Sequence, residues 1–307
     1  MKTFRRTLLW LGVAFFLAAP ALAGDIPLID AHSQLPAPGT AGEVIDLMDK
    51  AGVAHTILSF RGQAKGRHVL KLAAAHPLRI TAAVKAKGRN WPRGGRKFRK
   101  QINKQLAKGK FGALGEVLFY HAAKGIKAPE WSVLSTDEQA KFLLRVARNQ
   151  AWPVLTHIEF NALGDDKDVW MQRLETLLSQ NRDIAFPIMH MGQLEAPDAG
   201  RLLAAHPNIY FMTSHANTIV VTRSNQPWID MFSGGVLKPQ WVRLITRYRD
   251  RFILNFDNVF EEHWGSYYLD QVALWRKALA ALPRDAAHAV AHGNAERLWR
   301  LPPVKRN

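Results

Sequence analysis

The chain has no cysteine. No disulfide can staple it, and no thiolate is available as nucleophile or metal ligand, so the apolar core must carry stability alone. It also lacks a glycine-rich turn behind its first strand-like run. Ser33-Gln34-Leu35-Pro36-Ala37-Pro38-Gly39 stands there instead, and it cannot cradle a pyrophosphate as GxGxxG does. The apolar stretch Thr7–Ala19 falls short of the roughly 20 residues of a comfortable membrane span. It lies between Lys2, Arg5 and Arg6 on one side and the small-x-small Ala21-Leu22-Ala23 on the other, the pattern of a cleaved secretory signal. The expectation is a leader over residues 1–23, cleavage after Ala23, a periplasmic protein and no stable membrane insertion afterwards.

Acidic residues are locally missing too. Lys85 to Lys110 holds eleven basic residues and no acidic one. The formal charge of the chain is +17, and the three cations of the leader take it to +14. Phe98, Ile102 and Leu106 recur at i, i+4 and i+8, so Arg96–Lys108 is expected as a helix with one apolar stripe and cations on its wet face. The plain reading is a solvated helix face, and the competing one is an anionic partner. Aromatic residues are sparse in the run and no nucleic-acid motif accompanies it, so nucleic acid is not expected.

What the chain does have is alternation. Strand-like runs at Leu28–His32, Thr56–Phe60, Ile80–Val84, Ala113–Phe119, Pro153–His157, Ile184–His190, Ile209–Thr213 and Phe252–Asp257 are separated by helical patterns. Eight strands alternating with helices predict an α/β fold, a single (β/α)8 TIM-type barrel over residues 24–307 with an extra helix at its C-terminal end. Leu72–Pro77 and Leu202–Pro207 echo each other, each a helix end closed by His and Pro. His76 and His206 therefore belong to the opposite end of the barrel from the strand carboxyl ends. Two connections are long: Tyr120–Ser135, and Ser214–Leu237 with Arg223, Trp228, Phe232 and Gly234-Gly235. Both leave strand carboxyl ends and could cover a site there.

Five of the runs end on a metal-capable residue: His32, Glu116, His157, His190 and Asp257. A buried strand favours Val, Ile, Leu and Phe to its end, so an imidazole or carboxylate there needs a reason. In parallel α/β folds ligands gather outside the strand carboxyl ends, so the five point to one shared rim. Imidazoles and carboxylates suit a divalent cation with a position left for water, and a cation lowers the pKa of that water toward about 7. Asp257 is the candidate ligand and general base, and His190 the candidate ligand or electrophile. His121, Glu159 and His215 stand near strand ends as second-rank candidates. Arg61, Lys85 and Arg223 could hold an anionic group of a small-molecule substrate.

Ile29-Asp30-Ala31-His32, Gly115-Glu116, His157, His190, Phe256-Asp257-Asn258 and the closing His292-Gly293-Asn294-Ala295-Glu296-Arg297-Leu298 resemble the amidohydrolase superfamily. Within it they are most similar to the amidohydrolase-related branch that includes aminocarboxymuconate semialdehyde decarboxylase and lactone-hydrolysing enzymes. The similarity runs from about Leu28 to Leu298. It implies a metal-dependent barrel in which His32 and His157 are ligands, His190 a ligand or acid/base, and Asp257 a ligand or base. One position departs from the family. Its His-x-His is here His32-Ser33-Gln34, an amide in place of the second imidazole, and amide oxygen is a poor zinc ligand. Three readings stand: zinc held without that imidazole, a harder ion such as manganese or magnesium held in part by Gln34, or a metal-poor ligand-binding barrel. The expected reaction is attack of metal-activated water on an ester, lactone or amide, with non-oxidative decarboxylation of a small aromatic or unsaturated acid as the alternative.

Overall fold

The computed structural model describes residues 26–125 and 128–304, so the expected leader lies outside the described residues. From the N-terminus the first units are β1 (Leu28–Leu35), α1 (Ala41–Ala51), β2 (Val53–Phe60), α2 (Gly66–Ala75), β3 (Ile80–Val84), α3 (Gly95–Leu106) and β4 (Ala113–Leu114). They continue as β5 (Val117–His121), β6 (Trp131–Ser132), α4 (Glu138–Gln150), β7 (Thr156–Ile158), α5 (Lys167–Gln180), β8 (Phe186–Ile188), α6 (Ala196–Ala205) and β9 (Ile209–Met212). The last are α7 (Thr218–Val221), β10 (Phe232–Ser233), β11 (Val236–Leu237), α8 (Pro239–Arg247), β12 (Phe252–Ile253), α9 (Ser266–Ala280), α10 (Arg284–His288) and α11 (Asn294–Trp299).

The barrel strands are parallel and run in chain order. One sheet is β1-β2-β3-β4, and the other carries β5, β7, β8, β9 and β12. The expected fourth strand, Ala113–Phe119, is one run broken at Gly115-Glu116. Gly115 N–H reaches Val84 O on one side at 2.8 Å, and Val117 N–H reaches Leu155 O on the other at 2.8 Å. The break has a steric cause. A Cβ on Gly115 would stand 2.7 Å from Val84 O, so the chain passes here only without a side chain. Beyond β12 the eighth run closes on the first. Ala31 N–H donates to Leu254 O, Asp257 N–H to His32 O and Gln34 N–H to Asn258 O, at 3.1, 2.9 and 2.8 Å.

Two apolar layers follow from the alternation of side chains. Inside the barrel, Ile29, Ala31, Ile57, Ala83, Ala113, Leu155, Met212 and Ile253 pack together, with Ala295, Trp299 and Leu301 closing the amino-terminal end. The larger layer lies between strands and helices, where Trp91, Phe98 and Ile102 seat α3 as the stripe predicted. Helix ends are set by their residues. Gly52 at φ 67 stops α1, and Pro239 opens α8. The extra helix expected at the C-terminal end is α10, a π-turn at Ala289–Gly293 and α11. The wider turn lets Val290 O accept Leu254 N–H at 3.1 Å and so fixes the terminal helices to the eighth strand.

The two long connections carry structure of their own. β6 adds antiparallel to β5, and β10 pairs with β11 as a hairpin. Lys124 of the first connection bonds Gln226 of the second at 3.2 Å, so the two meet over the strand carboxyl ends.

Candidate active site

Each of the five strand-end residues is buried, and the barrel brings them to one rim. Asp257 stands at its centre. Its Oδ1 is 3.6 Å from His32 Nε2 and accepts a 3.2 Å hydrogen bond from Gln34 Nε2. Its Oδ2 is 3.6 Å from His190 Nε2 and 3.8 Å from His215 Nε2. Glu116 Oε1 adds a fifth donor 3.9 Å from His190 Nε2.

Local backbone aims these groups. Asp30 at the bulge of β1 accepts from His32 N–H, Ser33 Oγ–H and Phe256 N–H at 3.3, 2.5 and 2.9 Å, which ties the first strand to the eighth. Asp30 therefore grips the backbone of His32 and not its ring. His190, His215 and Asp257 all have positive φ, at 55°, 60° and 50°. Such conformations cost about 1–3 kcal/mol each in a non-glycine residue and persist where the surroundings enforce them. The strand expected to run through His190 stops at Ile188 because Met189–Gln193 turns sharply with left-handed backbone. Ser214 Oγ stands 2.8 Å from His190 Nδ1, which leaves Nε2 turned toward Asp257 and Glu116.

A second half of the rim is an alternating row of charges. Lys87 Nζ pairs with Glu116 Oε2, and Glu116 Oε1 is 2.5 Å from His157 Nδ1. His157 Nε2 is 3.1 Å from Glu159 Oε1, which Lys124 Nζ meets at 2.6 Å. Burial works to lower His157, but the Glu116 and Glu159 carboxylates outweigh it and hold the imidazole up at about 9. Burial raises Glu116, yet Lys87 and His157 outweigh that and hold it well below the usual carboxylate range. His157 and Glu116 thus face each other, and with His190 they form one of the groups whose ligand atoms lie within 4.8 Å of one another. Asp257 is their opposite. Burial and the neighbouring Glu116 charge push it up to about 7. Burial pushes the three imidazoles facing it down: His32 to about 4, His215 to about 3 and His190 well below its usual value.

These donors fit a cation. Two ligands at about 2.0–2.2 Å from one ion stand roughly 3–4 Å apart, and the contacts around Asp257 have that spacing while being too long for hydrogen bonds. His32 is fully buried with neither ring nitrogen hydrogen-bonded, and Gln34 Oε1 is likewise unpartnered. Buried polar atoms of this kind need a partner. His190, His215 and Asp257 offer ligand atoms all within 4.8 Å of one another, as do Glu116, His157 and His190, and either trio would hold a divalent ion, with His32 and Gln34 beside Asp257.

The remaining candidates sit further out. Arg61 lies over Phe260 at 4.4 Å, Lys85 over Phe60 at 5.6 Å and the exposed Arg223 over Tyr267 at 5.2 Å. None of the three forms an ion pair among the described residues. Sequence reasoning passed over Lys87, Ser214 and Lys124, and it placed Trp228 only in a covering loop. Lys87 had a signal, since it follows Lys85 by the strand period of two. Trp228 edges both stacked rings, His190 at 5.0 Å and His215 at 4.9 Å, and walls the site.

No protein-family profile matches the chain, and no curated protein does. Solved structures do. A 4-oxalomesaconate hydratase from Rhodopseudomonas palustris is 14% identical, with 89% of this chain and 95% of that one covered at a TM-score of 0.58. An uncharacterized TIM-barrel protein from Bordetella bronchiseptica is 16% identical over 90% and 99%, at 0.54. An amidohydrolase from Burkholderia multivorans with bound zinc is 16% identical over 90% and 100%, at 0.52. At these identities the likeness establishes the TIM-barrel fold.

Proposed function

We propose that the chain is a metal-dependent hydrolase of the amidohydrolase type, acting on a carboxylic ester, lactone or amide. The observation that carries this is the gathering of His190, His215 and Asp257, and of Glu116 and His157 with the same His190, at ligand spacing, next to a buried His32 whose ring nitrogens are both unpartnered. The zinc-bound amidohydrolase of the same fold agrees with it. Zinc is the first candidate ion, with manganese or magnesium alternatives because Gln34 replaces an imidazole. A divalent ion there supplies Lewis acidity to a carbonyl oxygen and makes water acidic enough to deprotonate near neutral pH.

The chain's own groups do the rest. Asp257 Oδ2 faces the centre of the rim and takes the proton from the attacking water. His190 Nε2, held by Ser214, donates to the oxygen that gains charge or to the leaving group. Glu116 and His157 hold opposite charges within the site and fix its field. Arg61 and Lys85 at the rim take a carboxylate of the substrate, and Arg223 on the covering connection closes on it. Trp228 packs against a planar group and excludes water. The unpaired Arg61 and Lys85 also favour the second reading, decarboxylation of a small unsaturated or aromatic acid on the same residues.

Export through a leader cleaved after Ala23 belongs to this proposal. No helix among the described residues is long and apolar enough to cross a membrane. The test is metal content together with turnover on a panel of lactones, aryl esters and aromatic carboxylates. Stoichiometric metal with release of acid from a lactone or ester supports hydrolysis. Loss of carbon dioxide from a carboxylate moves the assignment to the decarboxylase. Binding without turnover in a metal-free protein refutes both.

A further inference from the structure

The charge of this chain is not spread over the molecule. Of its 42 Lys and Arg, 17 lie from Lys50 to Gly115 with Lys50 included, a stretch without one Asp or Glu; the remaining 25 equal the 25 acidic residues of the whole chain. In the fold this stretch is one sector of the barrel, β2, α2, β3 and α3 with their connections. Arg79 pairs with Asp49 and Lys87 with Glu116. The other cations of the sector form no ion pair among the described residues. On α3, Arg96, Lys97, Arg99, Lys100 and Lys104 are all exposed. Arg96, Lys100 and Lys104 follow at i, i+4 and i+8, where like charges repel by a few tenths of a kcal/mol per pair. The first turn of α3 holds cations and no acid, the wrong sign for a helix N-terminus. Phe98 and Ile102 face inward and are fully buried, so the outer face offers charge alone.

The same sector carries an exposed apolar residue. Leu78, in the α2–β3 connection, is 66% exposed, among the largest values for an apolar side chain among the described residues. The α3–β4 connection, with exposed Lys108 and Lys110, leaves the same end of the neighbouring unit. The aromatic rings of α3 and its lead-in, Trp91 and Phe98, are buried, so no ring there is free to stack on a base.

We propose that this sector, centred on α3, docks the protein onto an anionic phospholipid bilayer, with Leu78 of the α2–β3 connection as an apolar contact at its edge. A bilayer matches the breadth of the patch, and each Lys or Arg near such a surface contributes about 1 kcal/mol, falling off within a Debye length. The docking is peripheral and independent of the reaction proposed for the strand carboxyl ends.

The test is co-sedimentation of the mature protein with vesicles of phosphatidylcholine alone and of phosphatidylcholine mixed equally with phosphatidylglycerol. The expected result is binding to the mixed vesicles only, weakened by salt. Arg96→Glu, Lys97→Glu, Lys100→Glu and Lys104→Glu together lower the affinity roughly 100-fold or more. Arg182→Glu, Arg243→Glu, Lys277→Glu and Arg284→Glu, exposed cations outside the sector with the same change in net charge, lower it less than tenfold. All eight are exposed, and a circular dichroism melt checks that both variants fold. Equal binding to both vesicle types, equal losses in the two variants, or binding to duplex DNA with none to vesicles would each overturn the proposal.

Discussion

At the scale of single residues the account turns on unlike neighbours. Asp257 is raised to about 7 while Glu116, across the rim, is held low. Two carboxylates with opposed environments suit different tasks, one to exchange a proton and one to remain an anion. Asp257→Asn is therefore expected to remove turnover by at least about a thousandfold and to lower metal content, since it loses both ligand charge and base. Glu116→Gln leaves Lys87 and His157 without their shared anion. His157 then falls from about 9, which a histidine NMR titration reads, and the uncompensated charges cost about 3–5 kcal/mol in a denaturant melt. A third residue reports on pH. Burial pushes His263 down to about 4, and its Nδ1 accepts Val259 N–H at 3.2 Å. Its folded value lies below its unfolded value of about 6.5, so it contributes stability above pH 6.5 that is lost as pH falls toward 4. In His263→Gln the acid slope of stability is expected to shrink by up to one proton, and an unchanged slope would assign the acid loss elsewhere.

At the scale of elements, the apolar runs and the helical stripes were legible because both faces of a parallel strand and one face of each helix are buried. The stripe Phe98, Ile102 and Leu106 is one case: the first two are fully buried and Leu106 half-buried against the core. The strand ends were legible for a related reason: His32, Glu116 and Asp257 were polar where the pattern called for Val or Ile. What the pattern could not carry was backbone reversal. The break at Gly115-Glu116 and the left-handed turn at His190 depend on contacts between distant segments, Gly115 with Val84 and Gly192 with Phe160 and Ile188. Glu159 and His215 ranked low because loop residues show no periodicity, and His121 because the expected strand ended at Phe119, yet the fold ends β5 on His121 and carries His215 to 3.8 Å from Asp257. Gly115→Ala tests the steric reading of the break. With Val84 O in the way, it should cost a few kcal/mol and displace Glu116, lowering melting temperature and turnover together. An unchanged melt would mean that the chain has room there.

At the scale of the whole molecule the barrel separates two tasks. Its strand carboxyl ends collect the ionisable groups of the site, while the sector from β2 to α3 collects the charge. No disulfide holds the frame, since there is no cysteine, and an ion bridging strands six and eight would bind only the folded chain. Its removal by chelator should then lower the melting temperature, with about 2.7 kcal/mol lost relative to ion at a hundred times its dissociation constant. Gln34→His, which supplies a second imidazole beside His32, should raise metal retention and turnover together. The most direct measurement is elemental analysis of the chain and of Asp257→Asn, each purified without chelator. The account predicts about one divalent ion per wild-type chain and little in the variant. Equal metal in both, or a metal-free wild type that still turns over its substrate, would contradict it.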